Sequence, residues 1–177
     1  IPNLNVFRPA DRMETIECWE HALKTSKTPS ILSLTRQNLD PIRKKYSKTN
    51  KCSFGAYEVL RTNKKINLTL IASGSEVNLA IETCHKLAKY KIYSKVISMP
   101  CQEIFDTQSN IYKDKILKET KNVFSIEAGS RMAWEKYINN GLSFSIDDFG
   151  KSAPYKKVYD YFGLNSKEIC KKIKLYI

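Results

Sequence analysis

The sequence predicts an α/β fold, a three-layer α/β/α arrangement around a mostly parallel sheet. Strand-like and helix-like segments alternate along most of its 177 residues, the order that builds parallel sheets with helices on both faces. The apolar runs at 67–72 and 94–99 are short and bounded by turn residues, as strands are. The segment between them has helical character.

Residues 4–8 read as a short strand that ends at Pro9. Asp11 is placed to cap the following helix, and Glu14 completes a capping-box pattern. Met13, Ile16, Trp19 and Leu23 follow at helical spacing, so Ile16, Trp19 and Leu23 are expected to form a core stripe, with His21 off it near the surface. Residues 30–35 form the second strand and deliver Arg36. Residues 40–54 are polar, basic and low in apolar periodicity, which reads as a surface linker. Residues 1–40 are therefore read as the close of one domain, 41–54 as linker and 55–177 as a second domain. The first piece cannot bury both faces of a parallel strand pair alone. It must dock on the second domain, pair with a second copy, or stay partly disordered.

In the second domain, Gly55–Leu60 reads as an edge strand and Asn67–Ala72 as a buried one. Ser73-Gly74-Ser75 makes a turn, structural rather than a ligand cradle because neither GxGxxG nor a P-loop lysine accompanies it. A helix runs from Ser75 to about Lys89, and a strand over 94–99 is closed by Pro100. A helix or helix pair spans 108–119, and a third buried strand runs from Asn122 to Glu127. A helix is expected from Met132 to Ile138 until Gly141 breaks it, then a last strand at Ile146–Phe149. Ser152-Ala153-Pro154 starts another helix, and Ser166–Tyr176 forms the last.

The charge and cysteine patterns bound the function. Net charge is +12, but the basic residues are dispersed in pairs such as Lys44-Lys45, Lys64-Lys65, Lys156-Lys157 and Lys171-Lys172, with no aromatic-interleaved tract. That argues against nucleic acid as a partner. No apolar run approaches the roughly 18 residues of a membrane span. Five cysteines, widely spaced and without CxxC, point to a reducing, intracellular compartment rather than zinc or dithiol chemistry. Cys18 and Cys84 read as small core residues. Cys101, after Pro100 at a strand end, is a candidate reactive thiol, although no His lies near it in sequence. His21 and His85 lack partners at metal-ligand spacing, so no metal site is expected. Glu127, at a strand end, reads as a cap or an interface contact, because a general acid would need a partner that is not in sight.

Arg36 stands out. A guanidinium at the carboxyl end of a buried strand lies where open α/β sheets place ligand contacts, and its planar donors match phosphate oxygens in pairs. The residue chemistry alone equally allows an ion pair with a neighbouring carboxylate. The sequence around it settles more. Leu34-Thr35-Arg36-Gln37-Asn38-Leu39 resembles the transketolase segment "SRQNL", with Thr35 where serine is usual. Ile1-Pro2-Asn3 through Arg8-Pro9-Ala10-Asp11 resembles the family's "PN…RPAD". Ala72-Ser73-Gly74-Ser75-Glu76-Val77 is similar to "ATGSEV", Val96–Pro100 to "VVSMP", and Phe105-Asp106-Thr107-Gln108 to "FDKQ". Ile126-Glu127-Ala128 and Phe149–Pro154 are similar to "VEA" and "FGxSAP". These islands occur in family order over essentially the whole chain.

The resemblance implies that residues 1–40 close a transketolase middle domain and 55–177 form the C-terminal domain. It implies a parent enzyme that moves a two-carbon ketol unit between sugar phosphates of the pentose phosphate pathway. That enzyme would be a cytoplasmic homodimer using thiamine diphosphate with Mg2+ or Ca2+. Arg36 would hold the substrate's terminal phosphate. The chain starts at Ile1 and the match begins inside the family pattern, so a portion of a longer protein is expected. No Gly-Asp-Gly run is present for the metal-diphosphate site, so neither catalytic nor cofactor-binding residues are expected here. Other readings are a non-catalytic dimerisation or regulatory module, dihydroxyacetone synthase, or another thiamine enzyme. Of these, 1-deoxyxylulose 5-phosphate synthase and a 2-oxoacid dehydrogenase beta subunit fit the motifs less well. Glu58 adds one residue to the family's "GAYVL", which predicts a bulge or a change of side-chain facing in the edge strand.

Overall fold

The computed structural model describes residues 1–177 except 44 and 46, so the linker expectation at those two positions lies outside the described residues. The chain opens with β1 (Asn5–Phe7), α1 (Arg12–Lys24) and β2 (Ser30–Leu32). The two strands form a parallel pair in the register Phe7 to Leu32. A five-stranded sheet follows, built from β3 (Tyr57–Arg61), β4 (Leu68–Ala72), β5 (Ser94–Ser98), β6 (Asn122–Ile126) and β7 (Ser143–Phe144). Its order is β3-β5-β4-β6-β7, with β3 antiparallel to β5 and the remaining pairs parallel. The crossovers carry α2 (Glu76–Ala88), α3 (Gln102–Asp106) and α4 (Asn110–Leu117), and the chain closes with α5 (Tyr155–Tyr161) and α6 (Ser166–Tyr176).

Alternation along the strands builds two cores. Leu68, Leu70 and Ala72 of β4 pack with Val77, Ala80 and Leu87 of α2 and with Ile169 and Ile173 of α6. Ile71, Ile97 and Val123 face the other way, against Phe105, Ile116, Trp134 and Tyr137. Strands buried on both sides in this way need helices on both sides. The expected α/β class with its mostly parallel sheet is therefore the observed one. The edge strand β3 shifts register between Glu58 and Leu60, where the extra residue led us to expect a bulge.

The N-terminal piece docks on the second domain. Phe7 and Cys18 pack with Cys52, Tyr57, Cys101 and Ile104 in a third cluster. Arg8 donates its backbone N–H to Pro100 at 2.8 Å and accepts from Gly74 at 2.9 Å, which joins β1 to the ends of β4 and β5. Within the expected linker, Cys52–Phe54 forms a 3-10 turn ending at Gly55, whose φ is +77°.

Several expectations are corrected. Ile16, Trp19 and Leu23 do not form a core stripe; Leu23 is 79% exposed. The buried face of α1 is Glu14, Glu17 and Cys18. The reason is chemical: Arg43, Lys51, Tyr57 and Ser98 offer α1 polar partners. Glu17 accepts from the backbone N–H of Lys51 at 2.9 Å and from Arg43 at 2.7 Å. Asp11 does cap α1, accepting from Glu14 N–H at 2.8 Å, but the Glu14 side chain reaches the N–H of Ala10 rather than that of the cap residue. His21 is half-buried, edge-on to Phe7, and burial lowers its pKa. β2 ends at Leu32, so Arg36 lies beyond it on an irregular segment. The region 132–138 is two 3-10 turns, Arg131–Ala133 and Glu135–Tyr137, which allow Trp134 and Tyr137 to reach the core. The last strand is Ser143–Phe144 rather than 146–149, because Gly141 lets the chain turn against Val123 and pair one step earlier. The helix pair begins at Gln102, before the expected start.

Candidate functional site

The carboxyl ends of β4 and β6 each present a carboxylate. Glu76 starts α2 just after the Ser73-Gly74-Ser75 turn, and Glu127 follows β6 directly. Gly74 has a φ of +55°, a conformation that glycine enters without strain, and it brings its N–H to the Arg8 carbonyl. Arg8, which Pro9 holds at the end of β1, reaches between the two carboxylates. Its Nη2 lies 3.3 Å from Glu76 Oε2, and its Nη1 contacts Glu127 Oε1. The remaining oxygens are also taken. Glu76 Oε1 accepts from Tyr159 at 2.5 Å and from Ser75 at 2.7 Å. Glu127 Oε2 accepts from the Trp134 indole at 3.0 Å and from Ser73 at 3.3 Å.

Burial pushes the Glu76 carboxyl above its usual range, against the hydrogen bonds from Tyr159 and Ser75 and the charge of Arg8. Burial also disfavours the Arg8 charge, but Glu127 and Glu76 more than offset this and hold its pKa above the ordinary value. The Tyr159 hydroxyl is pushed up by burial and by the Glu76 charge. Three of the four carboxylate oxygens accept hydrogen bonds and Glu127 Oε1 meets Arg8 through charge alone, so the cluster acts as a clasp between the N-terminal piece and the sheet. It has the wrong form for general acid–base work, which requires a group facing the substrate. A cleft of about 260 Å3 opens beside it, lined by Arg8, Ser73, Glu103, Glu127 and Trp134.

Arg36 lies apart from this cluster. It is exposed on the segment after β2 and makes no hydrogen bond or ion pair among the described residues. The next four residues, Gln37–Asp40, form one wall of a larger cleft of about 660 Å3 whose other walls come from α2, α5 and the start of α6. Asn78 of α2 fastens that wall by donating to the Asp40 carbonyl at 3.2 Å. The structure does not favour a reactive thiol at Cys101. The thiol is buried beside Glu103, and burial pushes its pKa to about 12, far from a reactive thiolate. Glu127 is the interface contact that its position suggested. Arg8, Glu76 and Tyr159 were not read as a unit from the sequence. Arg8 and Glu76 each stood beside a turn in a separate motif, Tyr159 in none, and only the fold brings them together.

Among the described residues, no group of three or more His, Cys, Asp or Glu side chains converges in a metal-ligand arrangement. Arg8 lies between the two buried carboxylates at the strand ends and its single charge offsets one of theirs. No helix among the described residues is long and apolar enough to cross a membrane.

Comparison with known proteins agrees with this fold. A family model described as the transketolase-like TK C-terminal domain matches residues 55–165. The chain is 42% identical over 178 residues to a transketolase from Staphylococcus epidermidis, covering 98% of this chain and 27% of that protein. It is 39% identical over 170 residues to a transketolase from Sinorhizobium medicae, covering 95% of this chain and 24% of that protein. A crystal structure of a Pichia stipitis transketolase in complex with sedoheptulose-7-phosphate superimposes with a TM-score of 0.88 at 33% identity, covering 97% of this chain and 25% of that one. The chain thus spans about a quarter of the length of these relatives. With the domain match, the strand order and the similarity over nearly its whole length, the chain belongs to the transketolase family.

Proposed function

We propose that this chain supplies the last part of a middle domain (residues 1–40), a linker (41–54) and the C-terminal domain (55–177) of a transketolase. The enzyme is a cytoplasmic homodimer that transfers a two-carbon ketol unit between sugar phosphates of the pentose phosphate pathway. Thiamine diphosphate, held with Mg2+ or Ca2+ by parts of the enzyme beyond these residues, would supply the carbanion-stabilising chemistry. The chain's own contribution is Arg36, which binds the sugar's terminal phosphate. The observation that carries this reading is Arg36 itself, exposed after a parallel strand and without an ion pair among the described residues. A guanidinium left available in this way suits a phosphate dianion through paired N–H donors. The Pichia stipitis relative, solved with sedoheptulose-7-phosphate, supports sugar phosphates as the substrate class.

The test is Arg36→Ala in the full-length enzyme. Loss of a phosphate contact made equally in ground and transition states raises KM by about ten-fold or more, with a smaller change in kcat. An unchanged KM for phosphorylated substrates would remove Arg36 from the site. The chain alone is expected to bind no thiamine diphosphate with Mg2+ in a calorimetric titration and to show no ketol transfer. Saturable binding there would overturn the division of labour.

A further inference from the structure

The fold gathers lysines that the sequence scatters. α2 and α6 pack side by side, and a groove of about 680 Å3 runs along their outer edge. Lys86 and Lys89 line it from α2, Lys167, Lys171 and Lys174 from α6, and Tyr90 closes one end. No carboxylate lines it. Lys86 is partly neutralised by Glu82 at 3.0 Å. Lys89, Lys167, Lys171 and Lys174 form no ion pair among the described residues, and Lys174 rests over the Tyr90 ring, 3.6 Å from its centre. At a rise of about 1.5 Å per residue, Lys167, Lys171 and Lys174 lie roughly 6 and 4.5 Å apart along one face of α6.

Four exposed ammonium groups lining one groove raise its positive potential and attract a polyanion. The geometry limits which one. The α6 wall extends little more than two helical turns, which suits a compact ligand better than an extended strand. Among the described residues, the one aromatic ring in the groove is covered by Lys174 and no arginine lines it, so they offer no stacking platform of the kind single-stranded nucleic acid uses. Ammonium groups act on phosphate as point charges, and a triphosphate chain brings about as many negative charges as there are unpaired lysines. We propose that the α2–α6 groove binds a condensed phosphate, a triphosphate chain either free or carried on a nucleotide. None of residues 1–40 lines the groove, so the inference does not depend on the role of Arg36.

Calorimetric titration of sodium tripolyphosphate into the chain at low salt is expected to show one saturable site that weakens steeply as KCl is added. The charge-reversed variant Lys171→Glu/Lys174→Glu should bind at least about ten-fold more weakly. The neutral variant Lys171→Gln/Lys174→Gln should lose less, and circular dichroism checks that both keep the fold. Lys64→Glu/Lys65→Glu changes an exposed pair on the β3–β4 connection by the same total charge and should alter affinity by less than about two-fold. ATP serves as the second arm. Affinity equal to tripolyphosphate supports recognition of the phosphate chain alone, and tighter binding supports a nucleotide. Absence of a saturable site, or equal losses in the α6 and the Lys64/Lys65 charge reversals, would overturn the proposal. So would binding of an oligouridylate or a polyglutamate peptide in the absence of any binding of tripolyphosphate.

Discussion

Lys95 is fully buried on β5, and its ammonium finds Glu119 at 3.0 Å and the Lys115 carbonyl at 3.3 Å. Glu119 also takes both terminal nitrogens of Arg61, and its carboxyl is held down to about 2, chiefly by the Arg61 hydrogen bonds. Glu119→Ala leaves Lys95 with a single partner, so a loss of roughly 1–2 kcal/mol in urea unfolding is expected, discounted because Glu119 is part-exposed. Arg61→Ala removes an exposed partner only and should cost less than about 1 kcal/mol. Glu14 shows the opposite electrostatics. It is fully buried and accepts from Tyr57 at 2.7 Å, Ser98 at 2.6 Å and Ala10 at 2.7 Å, yet burial still raises its pKa. A carboxyl with a raised folded-state pKa binds its proton more tightly in the native state. Its contribution is therefore full below the unfolded-state pKa and falls as pH rises through the folded one. The stability advantage of wild type over Glu14→Gln should accordingly shrink as pH rises above the unfolded carboxyl value of about 4.3, as followed by urea midpoints. An advantage that grows over that range would refute the assignment.

The turns between elements are as demanding as the side chains. Gly55 ends the 3-10 turn at φ +77°, and a Cβ there would lie 2.1 Å from the Phe105 N atom and 2.6 Å from the Cys101 carbonyl oxygen. Both obstacles are backbone, so Gly55→Ala should cost at least about 2 kcal/mol and lower the thermal midpoint accordingly. β1 is held chiefly by Phe7, which is fully buried against the second domain. Phe7→Ala should lose about 3–5 kcal/mol, and faster proteolysis before Asp11 would locate the loosening. The elements legible in the sequence were those with a strong local signal: the buried strands, the Asp11 cap and the bulge at Glu58. Those missed were decided at a distance. The 3-10 turns at Arg131–Ala133 and Glu135–Tyr137 follow from the need of Trp134 to reach Glu127, and β7 pairs where Gly141 permits close approach to Val123.

For the molecule as a whole, the outer face of the N-terminal piece is its least settled surface. Trp19, Leu23, Ile31 and Leu34 are exposed together with Ile16 in a chain that spans about a quarter of its relatives' length. An apolar face of this kind favours association. The chain is expected to self-associate with rising concentration in sedimentation velocity, and Trp19→Glu/Leu23→Glu should shift it toward monomer at a stability cost within about 1 kcal/mol. The reading of Ile16, Trp19 and Leu23 as core illustrates the limit of periodicity. Helical spacing identifies an apolar face but not what covers it, and here the second domain meets the other side of α1 through Glu14, Glu17 and Cys18. The sequence by itself determined the α/β class, the alternation of elements and the family, because each is written in local residue order. Only the tertiary structure decided that Arg8 is clasped between Glu76 and Glu127, that Cys101 is inert, and that dispersed lysines converge between α2 and α6. Those contacts join residues far apart in sequence, and only the packing of helices on the sheet sets the distances between them.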